Sequence, residues 1–135
     1  MFKVIIAGSR HFRDYERLKT VCDQWLQPYT GIEIVSGGAK GADALGTRYA
    51  TEKGYPCKLF PPDWEKSPRT AGHIRNAEMA TYADALMAFW DGKSKGTASM
   101  VSIARSKGLK VFIAPIPPAA SKTDRGTGDN TPTLF

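Results

Sequence analysis

Residues 32–50 read IEIVSGGAKGADALGTRYA. Ile32 to Val35 is a strand-length apolar run, Ser36 to Gly41 is a polar, glycine-rich break, and Ala42, Leu45 and Tyr49 then recur on one helical face. Gly54 is placed to close that helix as a C-cap. Strand, tight loop and helix in immediate succession make half of a parallel crossover unit. The same grammar extends in both directions. Further strands are expected at Lys3 to Ala7, Cys57 to Phe60, Ala85 to Trp90 and Lys110 to Ala114, with helical periodicity in the gaps. Between the first two strands, Tyr15, Leu18, Cys22 and Trp25 share a face, Asp14 stands as N-cap and Pro28 marks the exit. A helix opens near Ala71, and a last one carries Met100, Ile103 and Ala104 and stops at Gly108. Such alternation predicts an α/β, doubly wound parallel sheet of five strands with helices on both faces. Val4 to Ala7 and Ala85 to Trp90 are unbroken apolar runs, as central strands require, whereas Lys58 interrupts the third strand and sends it to an edge. The expected strand order is 3-2-1-4-5.

The 135 residues, 41% hydrophobic and 24% charged, suit a single domain. No apolar run approaches the roughly 20 residues that cross a bilayer, and the N-terminal Met1-Phe2-Lys3-Val4 stretch lacks the pattern of a secretory signal. A cytoplasmic protein with no membrane partner is expected. Cys22 and Cys57 stand apart in apolar surroundings and read as reduced core thiols. His11 and His73 form no ligand constellation, so no metal site is expected. After Pro115 the composition turns to Pro, Ala, Ser, Thr, Gly and Asp, which divides the chain into a domain at 1–114 and a flexible tail at 115–135. The net charge is +6. Lys122 and Arg125 cancel against Asp124 and Asp129, so the surplus belongs to the domain. Without a basic run interleaved with aromatics, that surplus favours a compact anionic ligand over nucleic acid.

In a doubly wound sheet the ligand lies beyond the carboxyl ends of the strands, where strand order reverses. The loops there read Gly8-Ser9-Arg10, Ser36-Gly37-Gly38-Ala39-Lys40-Gly41-Ala42-Asp43, Pro61-Pro62-Asp63-Trp64 and Asp91-Gly92-Lys93-Ser94-Lys95-Gly96-Thr97. Glycines let main-chain N–H groups approach an oxyanion, and the helix that follows adds its positive end. Neither glycine-rich loop has P-loop spacing, and neither carries the GxGxxG fingerprint with its acidic partner, which weighs against an ATPase and a nicotinamide dehydrogenase. One such loop is an ordinary βα turn. Two on one sheet edge, with Ser9, Arg10, Lys40, Ser94 and Thr97, favour an anion site. Asp43 suits a helix dipole as well as a ligand, and Asp91 suits a turn. Trp64 and Trp90 fall at strand ends, where an indole stacks on a base or packs into the core. His73, Arg75 and Asn76 share the first turn of the third helix, and the Arg there matches phosphate geometry. Lys93 and Lys95 read as solvated charges beside the same edge.

The set GSRHFRDY at 8–15, VSGGAKGADALGTRYA at 35–50, FPPDWEKSPRTAGHIRNAEMA at 60–80 and ALMAFWDGKSKGTASM at 85–100 resembles the YspA, cpYpsA-related branch of the SLOG superfamily. That superfamily also holds the DprA/Smf proteins and the cytokinin-activating LOG phosphoribohydrolases. The resemblance covers about residues 2–114. It implies a Rossmann-like domain that binds nucleotides or nucleotide-derived molecules, ADP-ribose-like ones included, and that forms dimers or larger homo-oligomers. In LOG enzymes an Arg at a helix start and a Glu in a PGGxGTxxE loop attend cleavage of the base–ribose bond. Arg75 matches the Arg and Gly96-Thr97 match the GT, but Met100 stands where the Glu would be. A thioether neither activates water nor stabilises an oxocarbenium centre, so the LOG reaction does not carry over intact.

The leading expectation is therefore a sensor or sequestering protein for a nucleotide-type ligand, with no cofactor required. Its expected ligand residues are Gly8, Ser9, Arg10, Ser36, Gly37, Gly38, Lys40, Gly41, Asp43, Asp63, Trp64, Arg75, Asn76, Trp90, Asp91, Gly92, Ser94, Gly96 and Thr97. The alternative is an N-glycosidic hydrolase of a nucleoside monophosphate or ADP-ribose derivative, with Arg75 on the phosphate and Asp43, Asp63, Glu78 or Asp91 as the carboxylate.

Overall fold

A computed structural model describes residues 1–118. The elements alternate throughout: β1 Phe2–Gly8, α1 Tyr15–Leu26, β2 Ile32–Ser36, α2 Ala42–Lys53, β3 Cys57–Leu59, α3 Ala71–Tyr82, β4 Ala85–Trp90, α4 Lys95–Ser106 and β5 Lys110–Pro115. All neighbouring strands pair in parallel, in the order β3-β2-β1-β4-β5. The doubly wound sheet read from the sequence is the sheet observed.

Period-two alternation distributes β1 between the two faces. Val4 and Ile6 join Leu18, Cys22, Leu26, Tyr49 and Ala50 beneath α1 and α2, while Ile5 and Ala7 join Met79, Met100, Val101 and Ala104 beneath α3 and α4. Strand β4 is buried from Ala85 to Phe89, as a central strand covered by helices must be. Strand β3 is exposed along its length, and its pairing ends at Leu59, one residue short of the expected Phe60. That edge position corrects the reading of Cys57, which is an exposed thiol and not a core side chain; Cys22 is buried as expected.

Local signals account for the helix ends. The Asp14 carboxylate accepts the Arg17 backbone N–H at 3.1 Å, so it caps α1. Gly54 takes the left-handed conformation after α2 and returns its N–H to Thr51 O, which ends that helix where the sequence does. At the other boundary β5 includes Pro115, Ile116 is buried with its N–H donated to Trp90 O at 3.1 Å, and Pro117 O lies 3.0 Å from His11 Nε2. The packed domain thus continues past residue 114. The expected tail from residue 119 onward lies outside the described residues.

Strand order reverses between β1 and β4. The chain leaves β1 toward α1 on one face and β4 toward α4 on the other, so the two loops part and open a crevice above Gly8 and Phe89, which are register partners.

Candidate anion-binding cleft

A cleft of about 500 Å³ occupies that crevice. Its floor is Ala7 and Gly8 at the end of β1, and its walls are the first turns of α3 and α4, with Arg10, Ala39, Asp43 and Trp64 at the sides.

Arg75 is the most constrained cation in it. Its Nε donates to Asn76 Oδ1 at 3.0 Å and its Nη1 donates to Gly37 O, so two edges of the fork are held while Nη2 lies toward Gly72. Burial depresses its pKa, opposed by the charge of Asp43. A guanidinium stays cationic under any such shift. Gly37 makes this clamp possible: a Cβ there would lie 2.2 Å from Nη1 and 3.0 Å from Asp43 Oδ2.

Asp43, on the first turn of α2, is almost wholly buried. Burial raises its pKa, and the backbone N–H groups of Ala39 and Gly37 and the charge of Arg75 only partly offset that. Its Oδ2 accepts the Ala39 N–H at 3.4 Å. The rest of the β2–α2 loop is similarly self-contained. Gly38 N–H goes to Ser36 Oγ, Ser36 Oγ reaches Asp43 O, and Ala42 N–H goes to Ser9 O. Gly41, at φ +76°, brings the loop so close to the first one that a Cβ would sit 2.4 Å from Ser9 O.

The β4–α4 loop is built the other way. Asp91 Oδ1 accepts the N–H groups of Lys93 and Ser94 at 2.8 Å and the Ser94 hydroxyl at 3.1 Å. Burial opposes ionisation of Asp91, but those donors and His11 outweigh it and hold the carboxyl below the usual range. The Ser94 hydroxyl, which sits at the N-cap of α4, is thereby turned toward Asp91 and Ser9 Oγ and makes no capping bond. The first turn of α4 lines the cleft at Lys95, Gly96 and Thr97, and its N-terminus has no side-chain cap among the described residues. Opposite them, His73 Nδ1 lies 3.1 Å from Ser99 Oγ and joins α3 to α4 across the cleft.

Of the residues read from the sequence, the cleft is lined by Gly8, Arg10, Asp43, Trp64, Arg75, Asn76, Ser94, Gly96 and Thr97. Ser9 and Ser36 are fully buried behind it, and Gly37 holds Arg75 from the rear. Ser9 ties three loops together through its carbonyl and hydroxyl. Gly38, Lys40 and Gly41 belong to the β2–α2 turn away from the lining, and Gly92 to the turn that Asp91 organises. Trp90 donates its indole N–H to Ser94 O at 3.1 Å and packs on the α4 side of the core, which makes it a support for the loop. Among the carboxylates, Glu78 is exposed on α3 and Asp63 caps its own turn through the Lys66 N–H, so Asp43 alone of the four faces the cleft. The lining also includes Ala39, Gly72, His73, Met79, Lys95, Ser99 and Met100. The His73–Ser99 pair had no signal in spacing, because the two lie 26 positions apart on different helices.

Comparison with known proteins agrees with this architecture. DNA processing protein A (DprA) of Streptococcus pneumoniae superposes with a TM-score of 0.69 at 18% identity, over 93% of this chain and 54% of that one. The structure of TM1055 superposes with a TM-score of 0.62 at 21% identity, over 82% of this chain and 72% of that one. The chain thus spans about half the length of DprA, and both likenesses concern the fold. Gene 61 protein of Mycobacterium phage D29 is 34% identical over 119 residues, which cover 83% of this chain and 95% of the relative. The profile of the YspA, cpYpsA-related SLOG family matches residues 2–66, the span that holds β1, β2, β3 and the loops that follow β1 and β2, and the chain belongs to that family.

Proposed function

We propose that the cleft binds a soluble nucleotide-derived ligand through its phosphate, and that the protein acts as a sensor or sequestering protein for that ligand. One observation carries the reading: a guanidinium clamped at Nε and Nη1 faces a helix N-terminus whose N-cap hydroxyl is turned elsewhere. Oriented amides and the helix dipole favour an anion, and a preoriented Arg adds a charge-assisted bond without losing rotamer freedom at the moment of binding. Lys95 and Arg10 add positive potential at the mouth. Calorimetry against ADP-ribose, its cyclic isomers, AMP, GTP and cyclic dinucleotides tests it. Stoichiometric binding by at least one, lost in Arg75→Ala and kept in Lys107→Ala, is the expected result; binding by none overturns it.

A hydrolase reading has one observation in its favour, the buried Asp43 in the cleft with its raised pKa. Its weakness is that Oδ2 already accepts from the loop and that Met100, a side chain without acid–base chemistry, lines the same cleft. Chromatography of the same nucleotides after long incubation decides between the two, since only a hydrolase releases free base or ribose phosphate.

A further inference from the structure

We propose that Trp64 is the platform on which a planar heterocycle of the ligand stacks, so that the ligand is held at two ends, base and phosphate; this rests on the anion-site reading above. The chain has three tryptophans. Trp25 packs on the Phe112 ring, centroids 4.6 Å apart, and Trp90 gives its N–H to Ser94 O and its ring to the core. Trp64 differs from both. It keeps 50% of its surface exposed while lining the cleft, and among the described residues no ring or cation is stacked on it.

The indole is placed by its surroundings. Asp63 Oδ1 accepts the Lys66 N–H at 3.1 Å, and Asp63 O accepts the Ser67 N–H at 3.0 Å, which fixes the turn after Pro61 and Pro62. The far edge of the ring rests on the start of α3, with Cη2 3.6 Å from the point where a Cβ on Gly72 would stand. Arg75 Nη2 lies 3.9 Å from the same point. Ring edge and guanidinium therefore border one spot, close enough for a single sugar to join a group on one to a group on the other. A large apolar face beside cationic donors suits a ligand that is flat and aromatic at one end and anionic at the other. A nucleotide has that chemistry. Stacking on indole depends on ring area more than on edge pattern, so purines should exceed pyrimidines, and both should exceed a ligand with no base.

The test is calorimetry on the full chain with AMP, CMP and ribose 5-phosphate, in the wild type, Trp64→Ala, Trp64→Phe and Arg75→Ala. The wild type is expected to bind AMP about 10- to 100-fold tighter than ribose 5-phosphate, with CMP between them. Trp64→Ala should bring AMP down to the ribose 5-phosphate level and leave ribose 5-phosphate itself unchanged, while Trp64→Phe keeps part of the difference. Arg75→Ala should weaken all three alike. If Trp64→Ala leaves the AMP preference intact, or weakens AMP and ribose 5-phosphate equally, the platform is overturned while the anion site stands. If the wild type binds none of the three, the platform is overturned, and the anion site falls with it only if the wider nucleotide panel fails as well.

Discussion

The β2–α2 and β4–α4 loops have much in common in sequence. Each follows a buried strand, is rich in glycine, contains a serine, a lysine and an aspartate, and leads into a helix of 12 residues. In the folded chain they do opposite things. Asp43 spends its carboxylate on the backbone of its own loop, and Ser36 and Ser9 take further donors there, so that stretch is closed upon itself. Asp91 instead draws the Ser94 hydroxyl off the start of α4, and the helix end is left open to the cleft. A glycine-rich loop at a sheet edge binds an anion only if its donors are not already satisfied, and which residues satisfy them is decided by where one aspartate sits in each loop.

The largest effect should come from a methyl group on the closed loop. Gly41→Ala places a Cβ 2.4 Å from Ser9 O at a φ of +76°, where the obstacle is backbone and has little room to yield. Left-handed strain and overpacking together should cost about 3 kcal/mol, read as a drop of roughly 10 °C or more in thermal unfolding. An unfolding midpoint unchanged from wild type would mean that the two loops do not approach so closely.

Next is the link between the loops and the cleft. Gly37→Ala pushes against Arg75 Nη1, the end of a side chain that is able to move, so the fold should survive while the guanidinium is displaced. Affinity for the ligand should fall about tenfold or more, the scale of one charge-assisted hydrogen bond, with thermal stability changed far less than in Gly41→Ala. Equal losses of stability in the two variants would make Gly37 a packing residue only.

The sequence carried the fold further than it carried this contrast. Unbroken apolar runs marked β1 and β4 as central, Lys58 marked β3 as an edge, and Asp14 and Gly54 marked helix ends, because each is a local property of a few adjacent residues. The site rests on pairings between distant positions. Arg75 is clamped by Gly37, 38 residues away, Ser9 meets Ser94 at a separation of 85, and neither spacing leaves a periodic trace. Cys57 misled for a related reason: its neighbours looked apolar, yet an edge strand three residues long has too little cover to bury it.

The closed loop should also reveal itself through pH. Burial raises the pKa of Asp43, so the folded chain holds this proton more tightly than the unfolded one does. Its contribution is most favourable where both states are protonated, and it is lost as pH rises from the ordinary aspartate range through the raised folded value. Asp43→Asn keeps an acceptor for the Ala39 N–H and removes the ionisation. The variant should therefore be more stable than wild type at neutral pH, and the gap should narrow as pH falls from the raised folded value to the ordinary aspartate range, below which it is constant. A gap that widens on acidification would show that Asp43 is an ordinary stabilising carboxylate.

The smallest effect reverses the sign of the first. Gly96 is the second residue of α4, and a Cβ there would meet nothing within 4 Å. Gly96→Ala removes backbone freedom from the unfolded chain and adds helix propensity, worth up to about 1 kcal/mol, so the midpoint of thermal unfolding should rise by a few degrees. The empty space that makes the methyl harmless to the fold is the space in front of the open turn, where the phosphate is proposed to lie. The same substitution should therefore weaken ligand binding as it stabilises the protein. Alanine at 41 and alanine at 96 then separate the two loops cleanly, one losing stability and the other only ligand affinity. If Gly96→Ala stabilises the chain and binds as well as wild type, the anion does not sit on the first turn of α4.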